Sequence, residues 1–278
     1  ATTCPYMSFS DVRRRRRGID IKTKKNYICH INFIVMAEKS EFRYKVDPRY
    51  VDFTQRASVS SLCDMILNAA GDDAYNLGFG IDVLGGKNLA WVLSRLCVEA
   101  DALPAEYEEF TLRTWISDFN RLASTRNFTL TDSAGREFCR AVSQWCMIDF
   151  TTRMPADMKT VACMHEGVIV DAPSPCERPR RIRAVEGVVA AEHRVVYSDI
   201  DFNRHMNTMR YIDIMCDVMP IETLERMQSM RLDLNFMREA RYGDVLTLRM
   251  DGDGSTREFE YRNGDGEALC RAAFEIRG

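Results

Sequence analysis

The 278 residues exceed one ordinary domain and suit either one large domain or two of common size. With 46% hydrophobic and 28% charged residues, the chain has the makeup of a folded protein with a substantial core. A net charge of -3 argues against a general nucleic-acid binder, so any basic recognition must be local.

Residues 1–35 differ in character from the remainder of the chain. Arg13 to Arg17 is a pure basic run, and the apolar run Tyr27 to Met36 is too short to span a membrane. Met36-Ala37-Glu38-Lys39-Ser40 reads like a natural start, so residues 1–35 are expected to be a non-core extension. A targeting or nucleic-acid-binding arm is the competing reading. Phe42 to Val46 is then strand-like, and a helix is expected from about Ser58 to Ala70, closed by Gly71. Asn88 to Glu99, Phe110 to Ser117, Thr125 to Thr131 and Glu137 to Phe150 read as strands, rich in β-branched and aromatic residues. This gives a helix followed by an antiparallel sheet.

Residues 151–187 hold Pro155, Pro173, Pro175 and Pro179, the last among Arg178, Arg180, Arg181 and Arg183, the composition of a linker. The pattern then returns. A strand at Val188 to Tyr197 leads to a helix ending at Pro220, and strands follow near Ser229 to Met237, Asp244 to Met250, Arg257 to Tyr261 and Ala268 to Ile276. Ten cysteines are scattered with no C-x-x-C and no metal-type spacing, most of them in apolar runs, which predicts a reducing, cytoplasmic-type compartment and no metal or cofactor.

The chemically dense stretch is Asp201-Phe202-Asn203-Arg204-His205-Met206-Asn207, directly before the second helix. A carboxylate, an amide and an imidazole at a helix entrance can orient water, shuttle a proton and stabilise a developing oxyanion. The same string also reads as an Asx-turn with Asn207 as helix cap. Val51-Asp52-Phe53-Thr54-Gln55-Arg56-Ala57-Ser58 aligns without a gap to Ile200 through Asn207, and Asp64 then falls on Asp213. Thr111-Leu112-Arg113 recurs as Thr247-Leu248-Arg249, and Cys139-Arg140-Ala141 as Cys270-Arg271-Ala272. The first copy keeps Asp52 but carries Thr54 for Asn203 and Arg56 for His205. The repeat implies a duplicated domain with one active copy.

The stretch Asp201 to Ile212 resembles the D-x-N-x-H-V-N-N-x-K-Y-I signature of the acyl-acyl carrier protein thioesterases of plants and bacteria. Leu234-Asn235-Phe236-Met237-Arg238-Glu239-Ala240 resembles that family's L-x-Y-R-R-E-C segment, and Leu89 to Arg95 and Trp145 to Arg153 are similar to family segments. The resemblance covers roughly residues 40–278. It implies an α+β double hotdog: an N-terminal hotdog at 36–155 holding the acyl chain, a linker at 156–187, and a C-terminal hotdog at 188–278 carrying the site. It implies hydrolysis of fatty acyl-acyl carrier protein with Asp201, Asn203, His205 and Glu239 at the catalytic positions and Glu239 as base. Where plant members often carry a cysteine, this chain has Ala240, which removes a cysteine nucleophile there. Without the family, Glu239 reads as a salt-bridge partner of Arg238 or Arg241.

The implied partners are acyl carrier protein and a fatty acyl chain, with no nucleic acid and no membrane span; a homodimer is left open. Acidic carrier proteins call for a basic surface, for which Arg178, Arg180, Arg181, Arg183, Arg204 and Arg210 are candidates. Met65, Ile66, Leu67, Trp91, Leu93 and Trp115 are candidates for the acyl pocket. An acyl-CoA thioesterase and a non-catalytic acyl-thioester-binding hotdog are the alternatives.

Overall fold

In a computed structural model, residues 38–160 and 166–278 are described, and they lie in one compact unit, Met36–Gly278. The expectation for residues 1–35 falls outside them. In chain order the elements are β1 (Ser40–Lys45), α1 (Val59–Asn76), α2 (Ile81–Gly85), β2 (Leu89–Ala100), β3 (Glu109–Phe119), β4 (Ser124–Asp132) and β5 (Glu137–Asp149). After the linker come β6 (Val188–Arg194), α3 (Thr208–Asp217), α4 (Ile221–Glu225), β7 (Ser229–Phe236), β8 (Val245–Asp251), β9 (Thr256–Arg262) and β10 (Ala268–Arg277).

The ten strands form one antiparallel sheet in the order β1-β3-β4-β5-β2-β7-β10-β9-β8-β6. Each half of that order is the other read backwards, and the halves join where β2 pairs with β7, Val98 opposite Leu232. Alternation sets the two faces. Leu96, Val98, Leu232, Leu234, Phe259, Tyr261 and Phe274 point inward and share one core with α1 and α3, which pack against each other. This is a double hotdog, with a helix from each copy enclosed by the joined sheet.

Both helices start from the cap their sequences provide. Ser58 Oγ accepts from Ser61 N at 3.1 Å, and Asn207 Oδ1 accepts from Met209 N at 2.9 Å, each covering a donor with no partner in its own helix. Ser58→Ala is expected to cost about 1 kcal/mol, a fall in Tm of roughly 2–4 °C in a thermal melt. The first helix is longer than expected. It runs through Gly71, which is exposed and meets no neighbour, and stops at Gly78, whose φ of +82° supplies the left-handed turn that ends helices. The extra turn matters because it buries Asp73 against Arg126 of β4.

From Ser174 to Val185 the linker is an ordered strap across the outer face of the sheet. Ser174 Oγ donates to Asn127 Oδ1 at 2.9 Å. Arg180 N donates to Asp233 Oδ1 at 2.9 Å, Ile182 N to Asn235 Oδ1 at 3.0 Å, and Val185 N to Glu260 Oε2 at 3.1 Å. Asn235 Nδ2 returns a bond to Arg180 O at 2.8 Å. Polar side chains on β7 and β9 therefore satisfy a strap backbone that belongs to no strand. The strap's own Ile182 and Val185 are buried.

Candidate active site

The site loop folds as the alternation of its residue types requires. Asp201 Oδ1 accepts from the main-chain N–H of Asn203 at 2.8 Å and of His205 at 3.2 Å, an Asx-turn that lets Arg204 take φ +64°. Asp201 N donates to His205 O at 2.9 Å and closes the turn. The Asx-turn and cap reading of the string holds, and that turn and the Asn207 cap form the frame that carries His205. Asp201 acts on Asn203 through the backbone, leaving the Asn203 amide without a hydrogen bond to any other described residue.

Below the loop lies a buried anchor that the sequence reading missed. Asp199 is fully buried and accepts from Val196 N at 2.8 Å, His193 Nε2 at 2.7 Å and Arg210 Nε at 2.9 Å. Burial alone would raise its pKa, but these donors hold the carboxyl below its usual range. Arg210 also reaches Asp213 Oδ2 at 2.8 Å, so loop and first helical turn move as one piece. The only advance signal was the match of Asp213 with Asp64, which says nothing of Asp199.

Glu239 lies between β7 and β8 and reaches the loop from the other side. Its Oε2 stands 2.9 Å from His205 Nε2, with 25% and 17% of the two side chains exposed. Its Oε1 accepts from Arg153 Nη2, which comes from the turn after β5 in the first copy. That turn is rigid, since Asp149 Oδ1 accepts from Thr151 N at 3.0 Å and from Thr152 N at 2.7 Å, and Arg153 holds φ +59°. Arg238 instead pairs with Glu267 at 3.0 Å. The expected salt bridge of Glu239 to Arg238 or Arg241 is thus replaced by contacts to Arg153 and His205.

His205 has a pKa below its ordinary value. Burial disfavours the imidazolium, and the positive charges of Arg153 and Arg241 add to this against the opposing pull of Glu239 and Asp201. Nε2 is the ring nitrogen that faces the Glu239 carboxylate, at 2.9 Å. Arg153→Ala removes one positive charge and strengthens the pull of Glu239, so both changes raise the His205 pKa. A proton NMR titration should show the imidazole protonating at higher pH than in the wild type, with the acid limb of activity moving the same way.

The first copy shows what lacks this arrangement. Asp52 Oδ1 accepts from Thr54 N at 2.8 Å and Thr54 Oγ1 at 2.6 Å, and Gln55 takes φ +60° where Arg204 takes +64°. Ala57 N donates to Pro104 O at 2.8 Å as Met206 N does to Ala240 O at 2.8 Å. This register puts Leu103 where the second copy has Glu239, and Arg56 where it has His205. Only one of the two equivalent loops brings an imidazole and a carboxylate together.

The family model of the acyl-ACP thioesterase N-terminal domain matches residues 37–164, and that of the acyl-ACP thioesterase C-terminal domain matches residues 183–277. A solved acyl-ACP thioesterase from Bacteroides thetaiotaomicron superposes with a TM-score of 0.78 at 34% identity, covering 86% of this chain and 98% of that one. The chain belongs to the acyl-ACP thioesterase family. The fold is shared more widely in the family: a 12:0-ACP thioesterase from Umbellularia californica superposes at 0.76 with 18% identity over 86% of this chain and 97% of its own. A chloroplastic oleoyl-acyl carrier protein thioesterase of Coriandrum sativum is 23% identical over 245 residues, 80% of this chain. The chain spans 66% of that relative's length.

Proposed function

We propose that this thioesterase-family chain hydrolyses the thioester between a fatty acyl group and the phosphopantetheine arm of acyl carrier protein, releasing the free fatty acid. The observation that carries the proposal is the 2.9 Å approach of His205 to Glu239 in one copy of a duplicated loop whose other copy has Arg56 and Leu103. The names of the relatives supply the substrate class.

In this reading Glu239, fixed by Arg153 and His205, accepts the proton of the attacking water. His205 holds the carboxylate in plane. The free amide of Asn203 and the main-chain N–H of Thr208 at the start of α3 stabilise the oxyanion, while Asp201 fixes the loop that carries both Asn203 and His205. With Ala240 at the neighbouring position, the reaction is direct attack by water. The 2.9 Å approach of His205 Nε2 to the Glu239 carboxylate favours a second assignment, in which Nδ1 is the base and Glu239 orients the ring.

We assign the acyl pocket to the copy at 36–155, the strap to 156–187 and the catalytic residues to 188–278. Of the pocket candidates, Met65 and Ile66 sit in the main core, whereas Trp91 packs against a smaller apolar cluster of the first copy with Phe79, Leu84 and Met147. Carrier-protein docking falls to Arg178, Arg181, Arg183 and Arg204, which are exposed and form no ion pair among the described residues. Arg180 is committed to Glu275 and Asp233, and Arg210 to Asp199 and Asp213. No described helix is long and apolar enough to cross a membrane. A homodimer is not required, since one chain supplies the whole site, and a cytoplasmic setting belongs to the same proposal.

The test is kcat/KM on matched palmitoyl-acyl carrier protein and palmitoyl-CoA. Preference for the carrier-protein ester is expected. Preference for the CoA ester would move the proposal to an acyl-CoA thioesterase, and binding without turnover of either ester would make the chain a non-catalytic binder.

A further inference from the structure

The strap sets two thiols against each other far from the hydrolytic loop. Cys97 points outward from β2, whose neighbours Leu96 and Val98 face the core, and it is fully buried beneath the strap. Cys176 comes from the strap, between Ser174 on Asn127 and Arg178, whose carbonyl accepts from Arg231. Both sulfurs and a Glu99 carboxylate oxygen lie within 4.8 Å of one another. A surface cleft of about 410 Å³ opens onto Cys176, with Glu99, Arg180 and Arg231 also in its wall.

We propose that Cys97 and Cys176 form a reversible disulfide that clips the strap to the central strand when the protein meets hydrogen peroxide. The arrangement divides the roles. Cys176, half-buried on the wall of the cleft that Arg180 and Arg231 also line, is the accessible sulfur. The adjacent Cys176 thiol and burial push the Cys97 thiol up, which keeps it protonated. The Cys176 thiolate attacks one peroxide oxygen, breaking the O–O bond, and protonation of the departing hydroxide gives water and a sulfenic acid. The Cys97 sulfur then attacks the Cys176 sulfur, the S–O bond breaks, and the hydroxyl leaves as a second water with the Cys97 proton. Two electrons pass from the thiols to the peroxide.

A soft metal ion fits this cluster less well. Glu99 is already paired with Arg231, and that guanidinium adds positive charge beside the sulfurs. A disulfide in a reducing compartment is of the transient kind. It closes a long loop and ties the strap to the strand that joins the two copies.

The test oxidises the reduced full-length chain with hydrogen peroxide, quenches in acid, alkylates and maps the peptides by mass spectrometry. The expected result is a Cys97–Cys176 linked peptide as the first and dominant product, lost on adding dithiothreitol. Tm rises by several degrees on oxidation of the wild type and not of Cys176→Ser. In Cys97→Ala, Cys176 is trapped as a sulfenic acid by dimedone, and in Cys176→Ser, Cys97 stays reduced. The proposal is overturned if other cysteines oxidise first, or if Cys176 passes to sulfinic acid unlinked in the wild type. Stoichiometric zinc binding that shields both thiols from peroxide would make the cluster a metal site instead.

Discussion

Glu239→Gln is expected to lower kcat/KM on palmitoyl-acyl carrier protein by about 10²–10⁴-fold, with the far-UV circular dichroism unchanged. The carboxamide keeps one acceptor oxygen for either Arg153 or His205 and sets its N–H₂ against the other, so the base and its orientation are lost together. Little of the fold depends on this side chain, which remains a quarter exposed. His205→Gln separates the two assignments of the base. If Glu239 takes the proton, a glutamine donating to Glu239 keeps part of the rate, and the loss stays near about 10²-fold; if His205 Nδ1 takes it, the loss approaches about 10⁴-fold, close to that of His205→Ala.

Asp73→Ala is expected to cost about 3–5 kcal/mol. Asp73 and Arg126 have side chains 1% and 5% exposed, and Asp73 also accepts from Ser40 Oγ of β1. Burial lowers the Arg126 pKa even with Asp73 beside it, so the pair sits where charge is poorly solvated. Removing the carboxylate alone strands a buried guanidinium. The double variant Asp73→Ala with Arg126→Met removes both charges, and urea unfolding should find it more stable than Asp73→Ala alone.

The duplication is legible because it is written in local chemistry. Asp52 and Asp201 make the same Asx-turn, Ser58 and Asn207 cap their helices from matched positions, and Gln55 and Arg204 are the same left-handed residue. Such features depend on near neighbours in the chain. Features that escape a reading of the sequence depend on distant ones. Arg153 meets Glu239 across two copies of the fold, and nothing in the period of either strand marks that meeting. The strap can be read as a linker from its prolines, but Arg231, Asp233, Asn235 and Glu260 look like a solvated outer face until the strap backbone is laid on them. Gly71 reads as a helix stop because exposed glycine in a helix and glycine at its end have the same letter. The difference lies in φ, which is left-handed only at Gly78.

In the proposed reaction Glu239 and His205 deliver water to the thioester, and no acyl group is transferred to the protein. Single-turnover hydrolysis of palmitoyl-acyl carrier protein, quenched in acid and followed by mass spectrometry of both protein and product, tests this most directly. The expected result is free palmitate appearing as the carrier-protein ester disappears, no acylated form of the chain at any time, and a rate lowered at least about 10²-fold in Glu239→Gln. An acyl-protein adduct that forms and decays at the catalytic rate, or an undiminished rate in Glu239→Gln, would contradict it.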